Sequence, residues 1–231
     1  MQILNTTQKK KVLFLGDCNT LGIPETKGDA YPEQLAKHLN IDVINCGHTM
    51  STTREGCEYF KKKFTNDIDL LCIQYGLVDS WLTFKYAPYV LYYPDSKLRK
   101  FCRKLTKKFK KLCKKFGLNE SIGTQNVVPL EEYLNHILWI HEHSSNTPII
   151  LIDTVPNKDI TRNSEIKRYN QALSDFTVQH CNIFKLNIYN DFEGSQKEHY
   201  IDPTHISLAG HKFVANKLFA LIQSDILLDE K

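Results

Sequence analysis

The chain has 231 residues, 42% of them hydrophobic and 24% charged, a composition that argues against disorder, collagen-like fibres and a disulfide-stapled miniprotein. No apolar run approaches the roughly 20 residues that a membrane-spanning helix needs. The net charge of +4 conceals an asymmetry: residues 97–116 hold eleven Lys or Arg and no acid, while the remainder holds 19 basic against 26 acidic residues, so any argument from charge concerns that one segment.

Short apolar runs alternate with helical patterns along the chain. Residues 11–16 read as a buried strand and 31–39 as a helix; 42–47 read as a second strand and 53–64 as a second helix. A third strand is expected over 69–76. After a helix at about 130–143 comes a fourth strand at 148–156. A fifth strand, 182–188, follows a helix at 163–179, and 207–228 closes the chain as a helix. Continuous apolar strands bounded by turns and separated by helices imply a parallel sheet covered on both faces. The expected class is α/β, a doubly wound, flavodoxin-like three-layer α/β/α fold on a five-stranded parallel sheet. No repeat, low-complexity linker or compositional break divides residues 1–231, so a single domain is expected.

Residues 80–128 break the alternation and form a long insertion after the third strand. It opens with Trp81, Phe84, Tyr86, Tyr89, Tyr92 and Tyr93 and continues into the basic segment. An insertion leaving that edge of the sheet suits a lid or substrate wall, with a packing flap as the alternative. Within 97–116, Leu98, Phe101, Leu105, Phe109, Leu112 and Phe116 recur at helical spacing, opposite a cationic face. Three readings stay open for this amphipathic helix. Its apolar face docks on the body while its charges hold an anionic ligand, glycan or partner; it lies on an anionic membrane surface; or it is a solvated face. No nucleic-acid-binding motif is present, so specific nucleic-acid recognition is not expected.

Seven cysteines, at 18, 46, 57, 72, 102, 113 and 181, include no CxxC pair. Free thiols in a reducing compartment follow, which places the chain in the cytoplasm, with the inner membrane face as a peripheral alternative. The N-terminal residues 1–16 lack a signal-peptide layout. Cys46, Cys57 and Cys72 fit core positions. His141 and His143, two apart on a helix, point to different faces and suggest no metal site.

In a doubly wound sheet the chemistry sits beyond the carboxyl ends of the strands. The first strand runs into Gly16-Asp17-Cys18-Asn19-Thr20-Leu21-Gly22. The second ends at Cys46-Gly47-His48, where a glycine lets the backbone approach a bound oxygen. The third ends at Gly76-Leu77-Val78-Asp79. Thr154, Pro156, Asn157 and Arg162 follow the fourth, and Arg162 is expected in a surface salt bridge, with pairing to an anionic substrate as the alternative. Asp202-Pro203-Thr204-His205 precedes the last helix, and an Asp three residues before a His can hold its Nδ1 within one turn.

Taken in order, these four blocks resemble the SGNH (GDSL-like) hydrolase family, over nearly the whole chain apart from 80–128. The resemblance implies the SGNH hydrolase fold and an acyl hydrolase or acyltransferase acting on an ester or thioester, such as an acylated small molecule or glycan. It implies Cys18 as nucleophile, His205 as general base and Asp202 as its orienting acid, with no cofactor and no metal. The backbone N–H groups of Cys18 and Gly47 would form the oxyanion hole, and Asp17, Asn19, His48 and Asp79 would line or brace it. Two positions depart from the family. Cys18 stands where the family has Ser, which favours thioesters and activated esters. Val78 stands where it has an Asn donor, so compensation is expected from His48, Ser51, Asn19 or the insertion. A non-catalytic module that binds a glycan, a partner protein or an anionic membrane is the alternative.

Overall fold

A computed structural model describes residues 9–225. Five parallel strands form the central sheet: β1 (Lys11–Gly16), β2 (Asp42–Gly47), β3 (Leu70–Gln74), β6 (Ile149–Ile152) and β7 (Ile183–Leu186), in the order β2-β1-β3-β6-β7. Successive side chains of a strand point to opposite faces, so each strand feeds two cores. Val12, Phe14, Leu70, Cys72, Ile150 and Ile152 enter one. That layer is covered by α2 (Tyr31–Leu39), α8 (Tyr189–Gly194) and α10 (Leu208–Asp225). Leu13, Leu15, Leu71, Ile73, Ile149 and Leu151 enter the other, under α3 (Thr53–Lys63), α6 (Leu130–Glu142) and α7 (Asn163–Gln179). Every residue of β3 is buried, which is why its sequence is apolar without alternation.

β1 and β2 end where expected, but β3, β6 and β7 end earlier than the apolar runs suggest. β3 stops at Gln74, because the chain turns away at Gly76, whose φ of +134° only glycine adopts readily. β6 stops at Ile152, where the buried Asp153 carboxylate accepts the Ile188 and Tyr189 N–H groups at 3.0 and 3.1 Å and pairs with Lys185. The expected closing helix is present as α10 to Asp225; its last turn, and the N-terminal residues 1–8, lie outside the described residues.

The insertion holds β4 (Leu82–Phe84) and β5 (Thr124–Asn126), an antiparallel pair at its base. Between them lie α4 (Lys97–Lys115) and the short α5 (Leu118–Ile122). The pair escapes sequence reasoning because its three-residue strands are joined by no local turn. The aromatic stretch is fastened to the body by one buried side chain. Glu55, wholly buried at the start of α3, accepts the Tyr89 hydroxyl at 3.0 Å and the Tyr92 N–H at 2.7 Å. The same carboxylate completes the capping box of α3 by accepting the Thr52 N–H at 2.9 Å. Tyr93 stacks on Tyr59, with ring centroids 3.6 Å apart.

One expectation about α4 is corrected. Its apolar face does not pack on the body: Leu98, Phe101, Leu105, Phe109, Leu112 and Phe116 are 49–72% exposed. The helix is held from its other side. Arg103 donates to Leu91 O at 2.7 Å and to Asp95 at 2.6 Å, and Cys113 is buried.

Glu55→Ala strands the Tyr92 N–H, the Tyr89 hydroxyl and the α3 cap together, each a loss of about 1 kcal/mol. The expected outcome is about 3 kcal/mol less stability in urea unfolding, with faster chymotryptic cutting within residues 86–93.

Candidate active site

The segment after β1 forms α1 (Cys18–Leu21), a single turn capped by Asp17, whose Oδ1 accepts the Asn19 N–H at 2.9 Å. It crosses closely over the end of β2. A methyl group on Gly47 would stand 2.2 Å from Leu21 N, so only glycine permits the crossing. Asn19 then joins this turn to the last block. Its Nδ2 donates to Thr204 O at 3.2 Å and its Oδ1 accepts the Ile206 N–H at 3.1 Å. The residue beside Cys18 thus grips both chain neighbours of His205. One N–H and the carbonyl oxygen of the Asn19 amide are spent on this clamp.

Asp202 organises its own turn. Oδ1 accepts the Thr204 and His205 N–H groups, both at 2.7 Å, and Oδ2 lies 2.6 Å from His205 Nδ1. Burial raises the Asp202 pKa, but the bonds from the His205 ring and the two amides outweigh it and hold the carboxyl below its ordinary range. Nδ1 is engaged, so Nε2 is the ring nitrogen left for proton transfer. The turn is buttressed from the β6 side, where Asn157 Nδ2 donates to Thr204 Oγ1 at 3.1 Å and Lys158 N donates to Pro203 O at 2.9 Å.

Cys18 is 6% exposed and packs with Leu77, Ile166 and Tyr189. Burial, followed by the neighbouring Asp17 carboxyl, pushes its thiol well above the ordinary value, while the Cys18 and Asn19 amides partly oppose this. The resting sulfur is therefore a thiol and not a thiolate. No hydrogen bond joins it to His205 among the described residues. Asp17 is itself raised from 3.8 to about 7, mainly by burial.

The oxyanion side differs from expectation. The Gly47 N–H is already committed to Asn45 Oδ1 at 2.9 Å, so the glycine serves the α1 crossing. The Cys18 N–H has no acceptor among the described residues. Val78 is buried and offers no donor. His48 turns aside: its Nδ1 meets Thr49 O at 2.9 Å and its ring stands by Tyr59. Ser51 is wholly buried beside Tyr75. Asp79 is a brace, accepting Thr53 N and Oγ1 at 2.8 Å and Gly76 N at 3.1 Å; burial lifts its pKa to about 6.

Two further residues matter here: Arg162, which the sequence already placed after the fourth strand, and Met50, which it did not single out. Arg162, from the turn Ile160–Arg162 before α7, reaches across the β3 exit. Its Nη2 donates to Leu77 O at 2.8 Å and its guanidinium lies 4.2 Å above the Trp81 ring. Its buried Nε has no partner, and burial lowers its pKa to about 10 against the opposing fields of Asp159, Cys18 and Asp17. Its long side chain and place after the fourth strand were the available signals. Met50 adopts φ +63°, a left-handed conformation that favours glycine, and nothing in its local sequence announces this. Met50, Val78 and Trp81 line a cavity of about 270 Å³ whose far wall is Arg103, Lys107 and Lys110 of α4. Neither Cys18 nor His205 lines it, but Val78 directly follows Leu77, which touches the thiol cluster. Among the described residues no three His, Cys, Asp or Glu side chains converge as a metal site.

No family model and no curated protein matches the sequence. Solved structures do match. A lipase/acylhydrolase from Enterococcus faecalis superposes with a TM-score of 0.64 at 16% identity, covering 93% of this chain and 95% of its own. A catalytic mutant of an acetylxylan esterase from Geobacillus stearothermophilus gives 0.62 at 17%, with 96% and 95% covered. A member of the lipolytic G-D-S-L family from Veillonella parvula gives 0.62 at 13%, with 93% and 99% covered. These likenesses establish the architecture: the chain has the α/β SGNH hydrolase fold.

Ionisation of Asp17 tests the site electrostatics. Its folded pKa lies above its unfolded value, so the native state loses stability as pH rises from about 4 to about 7. Asp17→Asn keeps an acceptor for the Asn19 N–H without that loss. Thermal melts should show the variant's Tm gaining on wild type across this interval and the gap levelling above it.

Proposed function

We propose that the chain is an acyl hydrolase that attacks thioesters and activated esters through Cys18, His205 and Asp202, with transfer of the acyl group to a sugar acceptor as its synthetic counterpart. The observation that carries this reading is the double tether: Asp202 holds the His205 ring at 2.6 Å while Asn19 binds both neighbours of that histidine to the turn bearing Cys18. In this scheme Cys18 Sγ bonds to the acyl carbon as its proton passes to His205 Nε2. The tetrahedral intermediate collapses, and the leaving thiolate or alkoxide takes that proton. Water, deprotonated by His205, then cleaves the Cys18 thioester and releases the acid. A raised thiol pKa makes His205 necessary for the first step.

The oxyanion would be met by the Cys18 N–H and, in place of the donor absent at Val78, by the unpartnered Nε of Arg162. The commitment of the Gly47 amide and the silence of Val78 favour a second reading, a binding module in which the fold is kept without turnover.

Acid-quenched peptide mass spectrometry after exposure to p-nitrophenyl acetate or an acetyl thioester distinguishes the two. The enzyme reading expects an acetyl group on Cys18, none in Cys18→Ala, and turnover lowered on the order of 10²–10⁴-fold in His205→Ala. Wild type that never acylates at Cys18 leaves the binding module standing. Arg162→Ala should lower turnover on the order of 10²-fold, and adding Val78→Asn should restore part of it. A purely structural Arg162 would show no such rescue.

A further inference from the structure

The outer surface of α4 has no counterpart in the chemistry above. Leu98, Phe101, Leu105, Phe109, Leu112 and Phe116 form one ridge along the whole helix, each at least 49% exposed. At about 1.5 Å per residue the ridge is roughly 27 Å long. Projected on a helical wheel, Lys97, Lys104, Lys108 and Lys115 form a row beside it, and the body borders its other side. All four lysines are exposed and none forms an ion pair among the described residues. Single exposed apolar residues are ordinary, but six aligned side chains mark an interaction surface.

The occupant must be apolar and anionic together. A second copy of the chain would set two segments of eleven cationic residues against each other, with no acid within either to pair them. A nucleic acid would neutralise the lysines but leave the Leu and Phe side chains unburied. An anionic bilayer answers both: acyl chains receive the ridge and headgroups receive the lysines. The geometry points to α4 as an in-plane membrane-surface helix that docks this chain on an anionic lipid leaflet. No helix of the described residues is long and apolar enough to cross a membrane, so α4 would lie in the interface and not span it. The inference stands apart from the reading of Cys18, since no residue of the ridge or the lysine row belongs to the thiol–imidazole site.

Vesicle flotation of the full chain tests it, comparing phosphatidylcholine vesicles with vesicles also containing phosphatidylglycerol. Wild type should float with the anionic vesicles and stay in solution with the neutral ones. Lys104→Glu, Lys108→Glu and Lys115→Glu together should weaken that binding on the order of 10²-fold or more, at about a factor of five per lost cation. Phe101→Ser, Leu105→Ser and Leu112→Ser together should abolish flotation with the cationic residues intact. Unchanged thermal melts for both sets separate surface effects from unfolding. Wild type that remains in solution with anionic vesicles overturns the proposal. So does binding indifferent to the Ser substitutions, which would mark mere electrostatic adsorption. Sedimentation equilibrium showing a dimer that those substitutions dissolve would assign the ridge to self-association instead.

Discussion

The side chain of Asn19 is the fastening on which the site depends. One amide bridges two segments 185 residues apart in sequence, donating to Thr204 and accepting from Ile206. Both ends are backbone groups, so the bond fixes the course of the chain around His205 and not only one rotamer. Its counterpart is the bare Cα of Gly47, which lets α1 lie against the end of β2. With α1 pressed down on one side and clamped on the other, Cys18 has little freedom in where its sulfur lies. The catalytic proposal needs only that this fixed sulfur and the Asp202-held imidazole face a shared space.

The electrostatics of the turn work against a charged nucleophile. Cys18 is buried among Leu77, Ile166 and Tyr189, and its immediate chain neighbour is a buried carboxyl. Both features disfavour negative charge on sulfur. An attacking group that stays protonated until a base removes its proton suits chemistry in which the acyl carbon is already electrophilic. Under the proposed reading, the lack of a side-chain donor at Val78 and the commitment of the Gly47 amide to Asn45 push the same way, since fewer donors would meet an oxyanion. Arg162 is the group whose placement runs counter to this trend.

Much of this was legible in residue order. The five apolar runs, their alternation with helices, and the positions of the four blocks at strand ends follow from periodicity and from the rule that parallel strands deliver side chains at their carboxyl edge. The Asp202–His205 pair was legible because three residues of turn allow it. What escaped was of two kinds. Asn45 takes the Gly47 amide by a local bond across one residue, which competes with any role of that amide toward a ligand. The rest depended on contacts that no local pattern encodes: Asn19 becomes structural through a partner near the other end of the chain, and β4 finds β5 across the whole insertion. The direction of α4 stays open among three readings in the sequence because a helical wheel shows which residues share a face but not which face meets the body.

Of the nineteen residues of α4, only Cys113 is buried. The helix is secured mainly by Ser96, Arg99 and Arg103 near its start, so its length and outer residues are nearly uncoupled from the stability of the sheet. Substitutions on the outer face of so lightly packed a segment should leave the sheet and the Asn19 clamp undisturbed. Docking on a lipid surface and acyl chemistry, both as proposed above, would then be separable by mutation within one chain.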